Sequence, residues 1–180
     1  MQQKVCKSLP IFSTVLKNRI NLNQKLIEVI NLDYDKNSKV RRNDSNVKAW
    51  STGWLEHIRN NNYDDLINLT FKYLSKIEKE YMKVRDPLPY KIHNLWAMKY
   101  VDGEYAIAHN HYPSDWSAVY YVDIEEKSSG IIFEEELTIN PVSGMLLLFP
   151  SILDHRVLPT DGKRMVISMN IIKDFPHEPD

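Results

Sequence analysis

Cysteine is nearly missing from this chain, with one residue, Cys6, in 180. That excludes an intramolecular disulfide and any zinc site built on several cysteines. It fits a reducing compartment. A basic excess is missing too. Lys plus Arg come to 23 against 24 Asp plus Glu, a formal net charge of −1. A nucleic-acid partner gripped through its phosphates is therefore not expected. No apolar run nears the roughly 20 residues that a membrane span needs. The longest, Met145 to Pro150, suits a buried strand. The first residues, MQQKVCKSLPIF, lack the apolar centre of a secretory signal. The expectation is a cytoplasmic protein without a membrane partner.

Glycine is scarce, five residues, and unevenly placed. Only Gly53 precedes residue 88. The others fall in turn-like contexts: VDGE, SSGI, PVSGM and TDGK. They separate short β-branched and aromatic runs, as in an antiparallel sheet or barrel. The chain reads as one domain over 1–180. Residues 1–88 supply an N-terminal strand and supporting helices, and 89–173 a jelly-roll core. Leu9 to Leu16 is a candidate edge strand. Leu26, Ile27, Ile30 and Tyr34 predict a helix over 23–34. Residues 35–48 read as a polar loop with a basic cluster, Lys39, Arg41 and Arg42. Asp64 to Met82 is the clearest helix. Leu66, Leu69, Tyr73, Ile77 and Tyr81 form its stripe, Asp64 and Asp65 sit at its start, and Pro87 and Pro89 lie beyond its end.

Seven strands are expected in the second half: 92–101, 104–111, 116–123, 131–136, 145–149, 155–158 and 164–172. The first two are expected to form a hairpin across Asp102-Gly103. The whole predicts a mainly β protein, a sandwich or jelly roll with helices on its outside. Exposed aromatic strands leave a homodimer open.

Three of the six histidines stand out. His109 and His111 form HNH on a predicted strand, where residues two apart face the same side. Both imidazoles can then reach one metal ion. His155 ends the apolar stretch MLLLFPSILDH, which can neighbour that strand in a jelly roll. On the strand 164–172, Arg164, Val166, Ser168 and Asn170 share one face, and Met165, Ile167, Met169 and Ile171 the other. A buried Arg164 needs an anionic partner, and a ligand carboxylate suits it. Taken singly, each feature has an ordinary reading: a surface pair, a loop histidine, a salt-bridged arginine. Trp96, Tyr112, Trp116, Tyr120 and Tyr121 are either core or a substrate wall. Trp50, Trp54 and His57 are candidates for a lid. His93 and His177 have no context that lifts them.

The combination resembles the non-haem Fe(II), 2-oxoglutarate-dependent oxygenases. The residues that carry the likeness are HNHYPSDWSAVYYVD and INPVSGMLLLFPSILDHRVLPTDGKRMVISMNI. Within that family it resembles a subgroup of bacteria and marine phages with HxHP-like, SGVYYV-like and LFPSxLxH elements. The likeness covers about 90–173 and extends weakly to NVKAWSTGW near 46–54. It implies a double-stranded β-helix (jelly-roll) core. It also implies Fe(II) and 2-oxoglutarate as cofactors, O₂ as co-substrate, and hydroxylation of a peptidyl residue such as proline, or of a small molecule. It places metal ligands at His109, His111 and His155, and the co-substrate's far carboxylate on Arg164, with Lys163 as the alternative. One position departs from the family. Its usual carboxylate ligand is here His111, and Asp115 is the alternative source of a carboxylate. Val166 stands where the family often has a serine. A hydroxyl helping Arg164 would come from Tyr100, Tyr120 or Ser168. Two other readings stay open: a cupin-like three-histidine metalloprotein that does not use 2-oxoglutarate, and a non-catalytic jelly-roll module.

Overall fold

In the computed structural model of the chain, residues 9–17, 19–37 and 46–175 are described. Cys6, the cluster Lys39, Arg41 and Arg42, and His177 lie outside them. Eleven strands and three α-helices follow in chain order. They are β1 Phe12–Val15, α1 Arg19–Asn37, β2 Val47–Lys48, β3 Trp50–Ser51, α2 Glu56–Arg59 and α3 Asp64–Glu80. Then come β4 Tyr90–Tyr100, β5 Tyr105–His109, β6 Trp116–Ile124, β7 Ile131–Phe133, β8 Leu137–Ile139, β9 Met145–Pro150, β10 His155–Val157 and β11 Arg164–Lys173. A short 3₁₀ turn, Asn61–Tyr63, leads into α3.

The strands form two antiparallel sheets. The larger has the order β1-β9-β6-β11-β4-β3, the smaller β2-β5-β10-β7-β8. Each face of the large sheet packs a different layer. Trp116, Ala118, Tyr120, Met165, Ile167, Met169 and Ile171 meet Leu26, Ile30, Leu66, Leu74 and Ile77 of α1 and α3. The helices carry these residues at three- and four-residue spacing, so each buries one stripe. On the opposite face, Met98, Tyr100, Val119, Tyr121, Leu147, Phe149 and Val166 meet Ala106, Ile131, Phe133 and Val157 of the small sheet. His109, His111, His155 and Arg164 line one slot between the two sheets.

Several expectations are corrected. β4 and β5 are not a hairpin. β4 pairs with β11 and β3 in the large sheet, whereas β5 pairs with β10 and β2 in the small one. The Asp102-Gly103 turn is a corner between sheets. Gly103 adopts φ +82, and its N–H donates to the Thr160 carbonyl at 2.8 Å across the corner. The run 131–136 is broken after Phe133. Glu134 and Glu135 both take positive φ, and the chain reverses into β8. That double left-handed turn is a tight hairpin geometry. The two-residue strands β2 and β3 add to those expected. β1 is the edge strand anticipated near the N-terminus.

Candidate metal centre and anion slot

The site is built where β5, β10 and the end of β9 converge. β5 ends at His109, whose direct partner on β10 is His155. Opposed residues of an antiparallel pair face the same side. His111 lies beyond the end of β5, and its backbone N–H donates to the Ser151 carbonyl at 2.8 Å. That bond ties it to the β9–β10 connection. The three rings stand with centroids 5.0, 4.5 and 5.0 Å apart. One nitrogen from each lies within 4.8 Å of the others. This spacing suits nitrogen ligands converging on one ion. Asp115 is not brought into the group. Its carboxylate accepts the Lys173 backbone N–H at 2.7 Å.

Hydrogen bonds orient two of the rings. His109 Nδ1 contacts the Ile107 carbonyl at 2.7 Å, and His155 Nδ1 contacts the Leu153 carbonyl at 3.1 Å. A carbonyl only accepts, so each Nδ1 carries the proton and each Nε2 keeps its lone pair. Burial, followed by the neighbouring imidazoles, pushes His111 down to about 3 and His155 to about 4. Burial also lowers His109. All three are neutral near pH 7, the form that binds a metal. Phe149 and Phe133 wall His155, with centroids 5.0 and 5.8 Å away.

Two cavities meet at the histidines. The outer one, about 290 Å³, is lined by Trp54, Trp96, His93, Asn94, His109 and His111 among others. Among the described residues no Asp, Glu, Lys or Arg lines it. The inner one is a slot of about 40 Å³ that all three histidines share with Arg164, Tyr100, Ser168 and Trp96. Arg164 is 3% exposed. Its guanidinium carbon lies 5.0 Å from the Tyr100 ring centre and 5.4 Å from that of Tyr121. Nη1 donates to the Ser129 carbonyl at 2.8 Å, while the buried Nε has no partner. Among the described residues no carboxylate pairs with it. A buried cation without a counter-ion is costly. Beside three neutral imidazoles, it marks a place for an anionic ligand. Lys163, by contrast, is exposed.

The hydroxyl candidates separate by face. Tyr100 and Ser168 line the slot. Tyr120 faces the helices, where its hydroxyl donates to Asn23 Oδ1. The residue beside Arg164 is Tyr121, which sequence reading placed only among the possible wall aromatics. Its hydroxyl is buried beside the guanidinium without a well-formed hydrogen bond. Burial raises its pKa, as it raises that of Tyr100 to about 12, while Arg164 opposes both. Both stay protonated donors. Of the wall residues, Trp96 lines both cavities and packs on His111 at 5.7 Å. Tyr112 stands exposed at the outer cavity. Trp116 packs on Phe12 on the helix side of the large sheet. Trp50 is not part of a lid: it is buried against Tyr34. Trp54 reaches the outer cavity and leans on Trp96, with centroids 6.4 Å apart. His93, unremarkable in sequence, also lines that cavity.

No protein-family model and no curated protein matches the sequence. Solved structures do match the fold. A Pseudomonas putida prolyl-4-hydroxylase aligns with TM-score 0.68 and 13% identity, over 93% of this chain and 95% of its own. A viral collagen prolyl hydroxylase from Paramecium bursaria Chlorella virus-1, in its 2-oxoglutarate complex, aligns with TM-score 0.65 and 15% identity, over 93% and 98%. A Trichoplax adhaerens prolyl hydroxylase, solved with a hypoxia-inducible-factor peptide, gives 0.64 and 14%, over 89% and 83%. The chain has the double-stranded β-helix fold that these structures share.

Proposed function

We propose that the chain is an Fe(II)- and 2-oxoglutarate-dependent oxygenase that hydroxylates a residue of a peptide. The observation that carries this is one slot holding two unmet demands: three neutral imidazoles with free Nε2 or ring nitrogens, and a buried arginine lacking a carboxylate. The fold neighbours and the histidine group support the same reading. The residues present fit the absent groups. His109, His111 and His155 would hold the iron. Arg164 would pair with the far carboxylate, with Tyr100 and Ser168 beside it and Tyr121 bracing the guanidinium. When bound, iron(II) and 2-oxoglutarate supply the oxidation of a C–H bond by O₂, with release of succinate and CO₂.

The chain's own contribution is placement. Arg164 would pair with one carboxylate of the co-substrate within the slot, and the histidines would hold the iron that takes its other end. Phe133 and Phe149 exclude water behind His155. The outer cavity would admit the substrate past Trp54 and Trp96, and its amide-rich lining suits a peptide backbone.

The test is succinate release from 2-oxoglutarate by anaerobically iron-loaded protein, with Arg164→Ala and His155→Ala alongside. Succinate that vanishes in both variants is expected. A second reading has one observation in its favour: the group contains three histidines and no carboxylate. This is the cupin-like centre without 2-oxoglutarate. Iron binding with no saturable binding of 2-oxoglutarate would select it and overturn the first.

A further inference from the structure

Taking the proposed metal centre as given, we infer that Asn110, the middle residue of HNH, is its positioning residue, acting through a clasp to Asp154. Asn110 Nδ2 donates to Asp154 Oδ1 at 2.8 Å. Its other side-chain atom, Oδ1, accepts the Tyr112 backbone N–H at 3.2 Å. Asp154 immediately precedes His155. Tyr112 immediately follows His111, and His109 precedes Asn110. One side chain therefore joins the two segments that carry all three imidazoles. Asp154 is itself anchored to the end of β7. Its N–H donates to Glu134 Oε1, and its carbonyl accepts the Glu134 N–H, each at 3.0 Å.

The clasp bridges the place where backbone pairing stops. His109 and His155 are held opposite each other by the β5–β10 ladder, but the register shifts between His155 and Val157. His111 is beyond the strand, with one backbone bond to Ser151. Beside that bond, the Ser114 N–H donated to the His111 carbonyl and the packing of Trp96 on its ring, the Asn110 side chain adds a direct link from the His111 segment to the residue before His155. Neither Asn110 nor Asp154 is among the three proposed metal ligands, although Asn110 also lines the outer cavity. They act through the backbone of those ligands, as outer partners of metal ligands commonly act.

The experiment uses the full chain and Co(II), whose visible absorption reports both affinity and ligand geometry. Four proteins are compared: the wild type, Asn110→Asp, Asp154→Asn, and the exchanged pair carrying both. Asn110→Asp sets two carboxylates face to face and breaks the clasp. The exchanged pair restores it with donor and acceptor reversed and the net charge unchanged. Co(II) affinity is expected to fall about tenfold in Asn110→Asp and to return to within about threefold of wild type in the exchanged pair. A purely electrostatic role predicts the opposite sign, because an added carboxylate near the site attracts the cation. Melting of the metal-free proteins checks that the residues, both exposed, do not act through global stability. Asn110→Asp binding Co(II) as tightly as wild type, or an exchanged pair that stays weak, overturns the clasp and leaves the metal centre standing. A wild type that binds no Co(II) overturns the metal centre and the clasp together.

Discussion

At the scale of single residues, the two adjacent tyrosines of β6 have opposite duties. Tyr121 lies with its hydroxyl beside the Arg164 guanidinium, without a well-formed hydrogen bond, whereas Tyr120 donates to Asn23 on α1. Tyr121→Phe is expected to raise the KM for 2-oxoglutarate several-fold with little change in kcat or stability. Tyr120→Phe is expected to cost about 1 kcal/mol of stability and to leave KM alone. Steady-state kinetics and urea unfolding on both variants check this, and equal KM values would remove Tyr121 from the site. The histidines predict a pH dependence. Their pKa values lie below the unfolded value of about 6.5, to about 3 for His111 and about 4 for His155. Between these limits the unfolded chain binds more protons. Stability of the metal-free protein therefore rises with pH through that window and is lost as pH falls from about 6.5. Each such imidazole contributes at most about 1.4 kcal/mol per pH unit. Chelator-treated protein, melted from pH 7 down to pH 4, shows the slope, and replacing His155 with Gln reduces it.

At the scale of elements, legibility in the sequence followed how local the signal was. HNH and His155 stood out because strand alternation aims an HxH pair one way and the apolar run before His155 marks a buried strand, yet β5 ends at His109, and His111 is brought in by its N–H bond to the Ser151 carbonyl rather than by the pleat. Arg164 and Ser168 were placed by the same parity on β11. Parity failed on β6 because that strand is buried from Trp116 to Val122 on both faces. With no polar face, nothing in the sequence says which tyrosine points inward. The register does say: Val166 pairs with Tyr121 and Ile167 with Tyr120, across a shift between Met165 and Val166. The supposed β4–β5 hairpin failed for a related reason. Asp-Gly specifies a reversal, not whether the chain stays in one sheet. β2 and β3 were invisible, since two residues show no period. Trp54 and His93 reach the outer cavity through pairing of distant segments, such as the Leu55–Leu95 bridge.

One turn tests how elements are joined. Gly144 has φ +85, its N–H donates to the Tyr121 carbonyl at 2.7 Å, and its carbonyl accepts the Leu16 N–H at 2.9 Å. It thereby links β6, β9 and the end of β1. A Cβ there would fall 1.9 Å from Arg19 Cδ on α1. Gly144→Ala is expected to cost at least about 1–2 kcal/mol, from the left-handed backbone alone, before any displacement of Arg19. Denaturant unfolding that matches wild type would contradict this.

For the whole molecule, the large sheet separates two cores with different work. The helix-side core holds Leu26, Ile30, Leu66 and Leu74, all fully buried and none near the histidines. The inter-sheet core holds Phe133 and Phe149, which pack on each other at 4.8 Å and on His155. Stability and metal binding should therefore respond separately. Leu26→Ala leaves a cavity on the helix side and is expected to cost about 2–5 kcal/mol. Co(II) affinity measured well below its melting point is expected to stay at the wild-type value. Phe149→Leu removes less volume, but the ring it removes stands edge-on to His155. The imidazole then gains freedom, so Co(II) affinity falls several-fold for a smaller loss of stability. The two variants should thus rank in opposite order by melting temperature and by affinity. Affinities that simply follow melting temperature would mean that the sheet does not insulate the site, and that the helices help to set the geometry of the histidines.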